Sequence, residues 1–234
     1  DPEEAIARVQ REFGEHGGVC PSISRSSTFT VMTPETMPEI FKGVRGPDQG
    51  GCYLYSRHFN PTVDVLARYL AAMENTEYAI CTARGMAAIA CTLLQLCRQG
   101  DHIVASRTIY GGTHALLADL LPNWGIRVTF VGPTRAEAFE DAARPETRVY
   151  YTETVGNPTL GVADIPALAR SAQARGITLV VDNTFMSRAL DADIFVAYPS
   201  PLLNRIPVEL KLDPGNRLLP VSYGDVCLNN SGDG

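Results

Sequence analysis

Apolar positions along this chain change their spacing repeatedly, and each change marks an element. Behind Asn60-Pro61, a cap followed by proline in the first turn, Val63, Leu66, Leu70 and Met73 recur at helical spacing, which predicts an amphipathic helix over 61–74. From there the pattern alternates. Short apolar runs at 78–81, 103–105, 127–131, 149–152 and 177–182 read as strands, the last (ITLVVD) nearly continuous, as in a strand covered on both faces. Helical periods at 85–98, 112–121, 135–143 and 164–175 separate them, with Gly100, Pro122 and Gly176 as stops and Asp164 as a cap. Strand and helix in alternation predict a parallel sheet with helices on its faces. Ligands in such sheets bind beyond the carboxyl ends of the strands, so the loops after 81, 106, 152 and 182 are where chemistry belongs.

The flanks are less regular. Residues 3–13 read as a short helix, and 17–51 as an extended arm with a short helix near 34–42. After Leu190 strand-like pieces (DIFVAY, VELKL, LLPVSY) lead to a polar tail, NNSGDG, without a repeated unit.

Composition narrows the classes. The chain has 234 residues, enough for one large domain or one and a half, and a net charge of −6 argues against a nucleic-acid groove or an anionic membrane as partner. No apolar run approaches the ~20 residues of a membrane helix, and no signal peptide opens the chain, which starts at Asp1. The six cysteines form no C-x-x-C pair and no zinc-like spacing with histidine, so they read as reduced, buried thiols of a cytoplasmic protein, with no metal site. Only two of the basic residues are lysines, Lys42 and Lys211.

Dinucleotide, P-loop, nucleophile-elbow and zincin motifs are absent. Instead Y-S-R-H-F-N-P-T (55–62), G-M-A-A-I (85–89), Y-G-G-T (110–113), E-T-V-G-N-P (153–158) and D-N-T-F (182–185) follow one another in order. In these segments, across roughly 17–190, the chain resembles the Cys/Met-metabolism family of pyridoxal-phosphate enzymes, the trans-sulfuration enzymes. Its arm (SRSSTFTVMTPETMPEIFKG, GGCYLYSRHFNPTV) is most similar to the methionine γ-lyase branch. The resemblance implies a type I, aspartate-aminotransferase-like three-layer αβα domain with a mainly parallel sheet, plus an incomplete C-terminal α+β small domain. The corresponding divisions are an arm at 1–58, a cofactor-binding large domain at 59–195 and C-terminal segments at 196–234.

The resemblance also implies roles, each with a plainer alternative. Asp182 would face the nitrogen of the pyridoxal 5'-phosphate ring; alone it is a strand-end or turn aspartate. Tyr110 would stack on the ring and relay protons; alone it is a half-buried tyrosine. Gly85 and Met86 open a helix whose free amides suit a phosphate. Tyr55 and Arg57 would reach that phosphate from a neighbouring subunit, arginine's fork matching its oxygens, although a solvated arm arginine is the plainer reading. Asn157 would contact the ring hydroxyl with Glu153 beside it, where the alternative is a Gly-Asn-Pro turn. Thr184 belongs to the same cofactor set.

Two departures stand out. Arg84 replaces a small residue before Gly-Met, and no S-x-T-K segment carrying the family's Schiff-base lysine follows D-N-T-F. Neither Lys42 nor Lys211 has that lysine's neighbours. The tail echoes the family in DADI, VAYPSPL and VSYG, which would put Ser222 and Tyr223 near the substrate carboxylate. A chain with internal segments removed, a natural truncation and a lysine-less, non-catalytic relative all fit this pattern. The leading expectation is γ-elimination on a sulfur amino acid, giving a thiol, a 2-oxo acid and ammonia. Cystathionine γ-synthase or lyase and O-acylhomoserine sulfhydrylase chemistry are the alternatives, because the same residues serve them and Gly112 stands where one group of γ-lyases has cysteine. The resemblance further implies homodimers or homotetramers with shared active sites.

Overall fold

The computed structural model describes residues 18–183 apart from 19, 50, 75, 133 and 134. These fall into two compact units, one ending at Cys81 and one beginning at Thr82. The expected helix at 3–13 and the pieces after Leu190 lie outside the described residues.

In the first unit the arm folds back on itself. Phe29 N–H donates to the Leu54 carbonyl at 3.2 Å and Ser56 N–H to the Ser27 carbonyl at 3.0 Å, framing an antiparallel bridge between Thr28 and Tyr55. A 3-10 turn, Pro34–Thr36, runs into α1, Met37–Phe41. The predicted amphipathic helix is α2, Pro61–Glu74, and Asn60 caps it by accepting the Thr62 N–H at 2.9 Å. Its buried positions are Val65, Ala67, Leu70 and Ala71, whereas Val63 and Leu66 are about half exposed. The apolar stripe expected from spacing is therefore rotated, because the small Ala67 and Ala71 let α2 pack closely on Ala79. The strand expected at 78–81 is an extended segment outside any sheet among the described residues. Ala79 points inward while Tyr78 and Ile80 point out, so it alternates like a strand but packs against a helix.

The second unit is the alternating region. Helix α3 spans Gly85–Leu96, followed by β1, His102–Ser106. Next comes α4, Gly111–Ala115, which continues through a π-helical turn, Leu116–Leu120, and a 3-10 turn, Leu121–Trp124, closed by Gly125 at φ +75°. Then follow β2, Arg127–Val131, α5, Ala136–Ala142, β3, Thr147–Glu153, α6, Ile165–Ala174, and β4, Thr178–Asp182. Asp164 caps α6 by accepting the Ala167 N–H at 3.0 Å. The sheet order is β2-β1-β3-β4 and every pairing is parallel.

Both faces of the sheet are covered. Ile103 and Ala105 of β1, Val149 and Tyr151 of β3 and Val180 of β4 pack under α3 and the segment after α4. Val104 and Tyr150, one residue out of phase, pack with Phe139 of α5 and with Leu168 and Ala172 of α6 on the other side. The result is three αβα layers with the functional loops along one edge.

Burial of the cysteines differs from expectation. Cys97 is buried, Cys52 and Cys81 are intermediate, and Cys20 and Cys91 are exposed free thiols; Cys227 lies outside the described residues. On α3 the buried face holds Ala88, Ile89 and Leu93, and Cys91 falls on the opposite side of the helix despite its apolar neighbours.

Candidate active site

The carboxyl ends of β3 and β4 place Glu153 and Asp182 side by side as register partners. Alternation along each strand puts Tyr151, Glu153, Val180 and Asp182 on the face roofed by α3 and α4. Both carboxylates are buried, at 4% and 7% exposure. The Tyr151 hydroxyl donates to Asp182 Oδ2 at 3.3 Å, with the Thr113 side chain beside it. Thr113 Oγ1 in turn lies 3.7 Å from Met86 Sδ. A chain of contacts thus runs from the first turn of α3 through α4 to the end of β4. Burial, foremost, and the neighbouring carboxylates push the Tyr151 phenol well above the ordinary tyrosine range.

Glu153 sits between two loops. Its Oε1 accepts the Tyr110 N–H at 2.7 Å and its Oε2 the Asn157 N–H at 3.1 Å. Burial pushes its carboxyl up to about 6, with those two N–H groups opposing and the Asp182 charge adding to the rise. Tyr110 is the N-cap residue of α4 and its ring is half exposed, leaning over Gly112. A Cβ at Gly112 would come within 2.6 Å of Tyr110 Cε1, so the absence of a side chain there lets the ring lie where it does.

At the start of α3 the amides of Gly85 and Met86 lie in the first turn, where a helix has no internal acceptor for them. Arg84 is the N-cap residue; its backbone is extended and its side chain is exposed. Its carbonyl accepts the Ala87 and Ala88 N–H groups and the Thr82 hydroxyl. At the end of β1, Ser106 Oγ is buried with no hydrogen-bond partner among the described residues. Two adjoining buried carboxylates, an orphaned hydroxyl, free helix amides and an exposed aromatic ring suit a ligand with a protonated ring nitrogen, polar substituents and a phosphate.

Tyr55 and Arg57 belong to the first unit, where the Arg57 guanidinium lies 4.8 Å from the Tyr55 ring centroid. That unit holds a cavity of about 500 Å³ lined by Lys42, Tyr53, Tyr55, His58 and Arg68 among others. Thr184, Ser222 and Tyr223 lie outside the described residues, as does Lys211. Of the residues singled out by sequence, Gly85, Met86, Tyr110, Glu153, Asn157 and Asp182 belong to the second unit. Sequence reasoning passed over Tyr151 and Thr113. Tyr151 lies two positions before Glu153 and hence on the same strand face, and Thr113 closes the Y-G-G-T segment, so alternation and motif both pointed at them.

Residues 4–196 match the family described as Cys/Met metabolism PLP-dependent enzyme. The chain is 54% identical over 192 residues to a methionine gamma-lyase of Arabidopsis thaliana, covering 81% of this chain and 43% of that protein. It is 43% identical over 178 residues to an O-acetyl-L-homoserine sulfhydrylase of Leptospira meyeri, covering 74% and 40%. The crystal structure of a putative O-acetylhomoserine (thiol)-lyase of Campylobacter jejuni, containing N'-pyridoxyl-lysine-5'-monophosphate, superimposes with a TM-score of 0.70 at 28% identity, over 79% of this chain and 44% of that one. The chain spans less than half the length of these relatives.

Proposed function

From a chain that belongs to the Cys/Met metabolism family of PLP-dependent enzymes, we propose a carbon–sulfur lyase of the methionine γ-lyase type, which eliminates a thiol from a sulfur amino acid and yields a 2-oxo acid and ammonia. The observation that carries the reading is the buried Asp182 carboxylate at the carboxyl edge, held by Tyr151 and flanked by Glu153. The 54% identity to the plant methionine gamma-lyase supports this branch of the family.

When bound, pyridoxal 5'-phosphate supplies an electron-withdrawing ring that eases C–H cleavage beside the substrate amine. Asp182 would hold a proton on the ring nitrogen, because a buried carboxylate favours a cation next to it. The amides of Gly85 and Met86 would bind the phosphate, aided by the positive end of α3. The Tyr110 ring would lie against the cofactor ring, with its hydroxyl placed to move a proton, and Asn157 would donate to the ring hydroxyl. Tyr55 and Arg57 would complete the phosphate site from a neighbouring subunit, so the working form is a homodimer or homotetramer. Thr184 completes the cofactor contacts, and Ser222 and Tyr223 are assigned to the substrate carboxylate. The covalent lysine is assigned to neither Lys42 nor Lys211.

The same reading covers 59–195 as the cofactor domain between an arm at 1–58 and C-terminal segments at 196–234. It places the protein in the cytoplasm, supported by the free thiols and by the absence, among the described residues, of a helix long and apolar enough to cross a membrane. A second reading, γ-replacement on an acylated homoserine, is supported by the similarity to the Leptospira sulfhydrylase.

Full-length protein supplied with pyridoxal phosphate and methionine tests the proposal. Release of thiol, 2-oxo acid and ammonia in equal amounts is expected. Thioether formation from O-acetylhomoserine and a thiol, without elimination from methionine, overturns it in favour of replacement. Absence of a borohydride-reducible visible absorbance overturns both.

A further inference from the structure

Glu153 serves two loops with one side chain. Its Oε1 takes the Tyr110 N–H at 2.7 Å, across 43 residues of sequence, and its Oε2 takes the Asn157 N–H at 3.1 Å. Both donors are main-chain groups, so the carboxylate fixes loop backbone rather than a side-chain rotamer. The two loops also approach closely beside it: a Cβ on Gly156 would meet the Thr108 carbonyl oxygen at 2.7 Å and Thr108 Oγ1 at 3.0 Å.

We propose that Glu153 is a positioning residue, a clasp that ties the connection carrying Tyr110 to the loop carrying Asn157 and so sets the separation of two groups that face the cofactor. The inference rests on the function proposed above for what the clasp is for, but not for the clasp itself. A carboxylate suits the task because each oxygen accepts independently; a glutamine offers one acceptor oxygen and turns an N–H₂ toward the other donor. The titratable groups facing Glu153 are Asp182 on β4 and Tyr151 on its own strand. Neither donates to Glu153, and the Asp182 charge favours its protonated form, in which one oxygen becomes a hydroxyl and the clasp loses an acceptor.

Hydrogen exchange read by mass spectrometry on the full-length protein tests the clasp, with Glu153→Gln and Glu153→Asp variants. Peptides covering 107–116 and 154–163 are expected to exchange about tenfold faster in both variants, while peptides from β1 and β4 keep the parent rate. The comparison is made at about pH 7.5, where the parent Glu153 carboxyl, at about 6, is ionised and both of its oxygens accept. Pyridoxal phosphate should bind both variants about tenfold more weakly. Unchanged exchange in both peptides overturns the clasp, and so does a rise spread equally over β1 and β4, which marks general loss of stability. Variants that show the local exchange pattern, in a protein whose parent binds no pyridoxal phosphate, support the clasp and overturn the proposed function. Tight cofactor binding with no exchange effect overturns the clasp alone.

Discussion

The Tyr151 hydroxyl reaches across from β3 to Oδ2 of Asp182 on β4, 3.3 Å away, and both side chains are buried. The two residues are two positions out of register, Tyr151 opposite Val180 and Asp182 opposite Glu153, so the bond runs diagonally over the roofed face of the sheet. A phenol that donates to a buried carboxylate orients it without giving up its proton, since burial raises the phenol well above the ordinary tyrosine range.

Tyr151→Phe is expected to lower stability by about 1–3 kcal/mol, the range for losing a buried hydrogen bond to a charged group, as measured by urea unfolding. Asp182 is oriented less firmly in this variant, so on the proposed function cofactor affinity should fall as well. An unchanged affinity would show that the rest of the site orients Asp182 on its own.

Gly112→Ala separates stability from geometry. Its backbone is helical, and alanine suits a helix better than glycine, so stability should stay within about 0.5 kcal/mol of the parent. The new Cβ would displace the Tyr110 ring, which it approaches at 2.6 Å, and with the role proposed for that ring the displacement should cost roughly tenfold or more in turnover. Thermal melting beside steady-state kinetics checks both halves.

His102 gives stability a definite pH dependence. It is wholly buried in β1, with its two ring nitrogens against the hydroxyls of Thr147 at 2.8 Å and Thr129 at 2.9 Å. Burial first, and then the Arg144 and Arg127 charges, lower its affinity for a proton. The neutral ring's contribution is therefore complete above the unfolded value near 6.5 and is lost as pH falls through the range below it. Glu153 acts in the other direction: its value of about 6 lies above the model-peptide 4.5, so its contribution is greatest below 4.5 and is lost as pH rises through 6. Urea midpoints measured against pH should accordingly fall more steeply on acidification in Glu153→Gln than in the parent, and less steeply in His102→Phe.

Thiol reactivity should follow burial. Cys97 is buried, and desolvation, helped by the Asp101 charge, raises its thiol to about 11, so it should resist iodoacetamide in the native protein. Cys20 and Cys91 are exposed and should be alkylated first, as peptide mass spectrometry can show.

Much of this architecture is legible in order along the chain, because it depends on local periods. The ITLVVD run announces a strand covered on both faces, and the motifs fall at strand ends and helix starts. What went astray did so where neighbours decide. Val63 and Leu66 have the spacing of a buried stripe, yet the close packing of Ala67 and Ala71 turns α2 the other way. The segment 78–81 alternates like a strand but lies on a helix, and Cys91 shares an apolar run whose buried face excludes it.

By itself the sequence determined that strands and helices alternate and that Asp182 ends a strand, while Glu153 fell just past the end expected of another; a period of two, set by the backbone alone, puts Tyr151 on the face of Glu153 once that strand runs on to 153. Only the tertiary structure decided that Glu153 and Asp182 are partners, that Tyr151 serves Asp182, and that Glu153 holds the Tyr110 amide from 43 residues away. Register and loop approach come from how α3 and α4 settle on the sheet. That packing sums contacts between distant segments, and no local pattern along the chain records it.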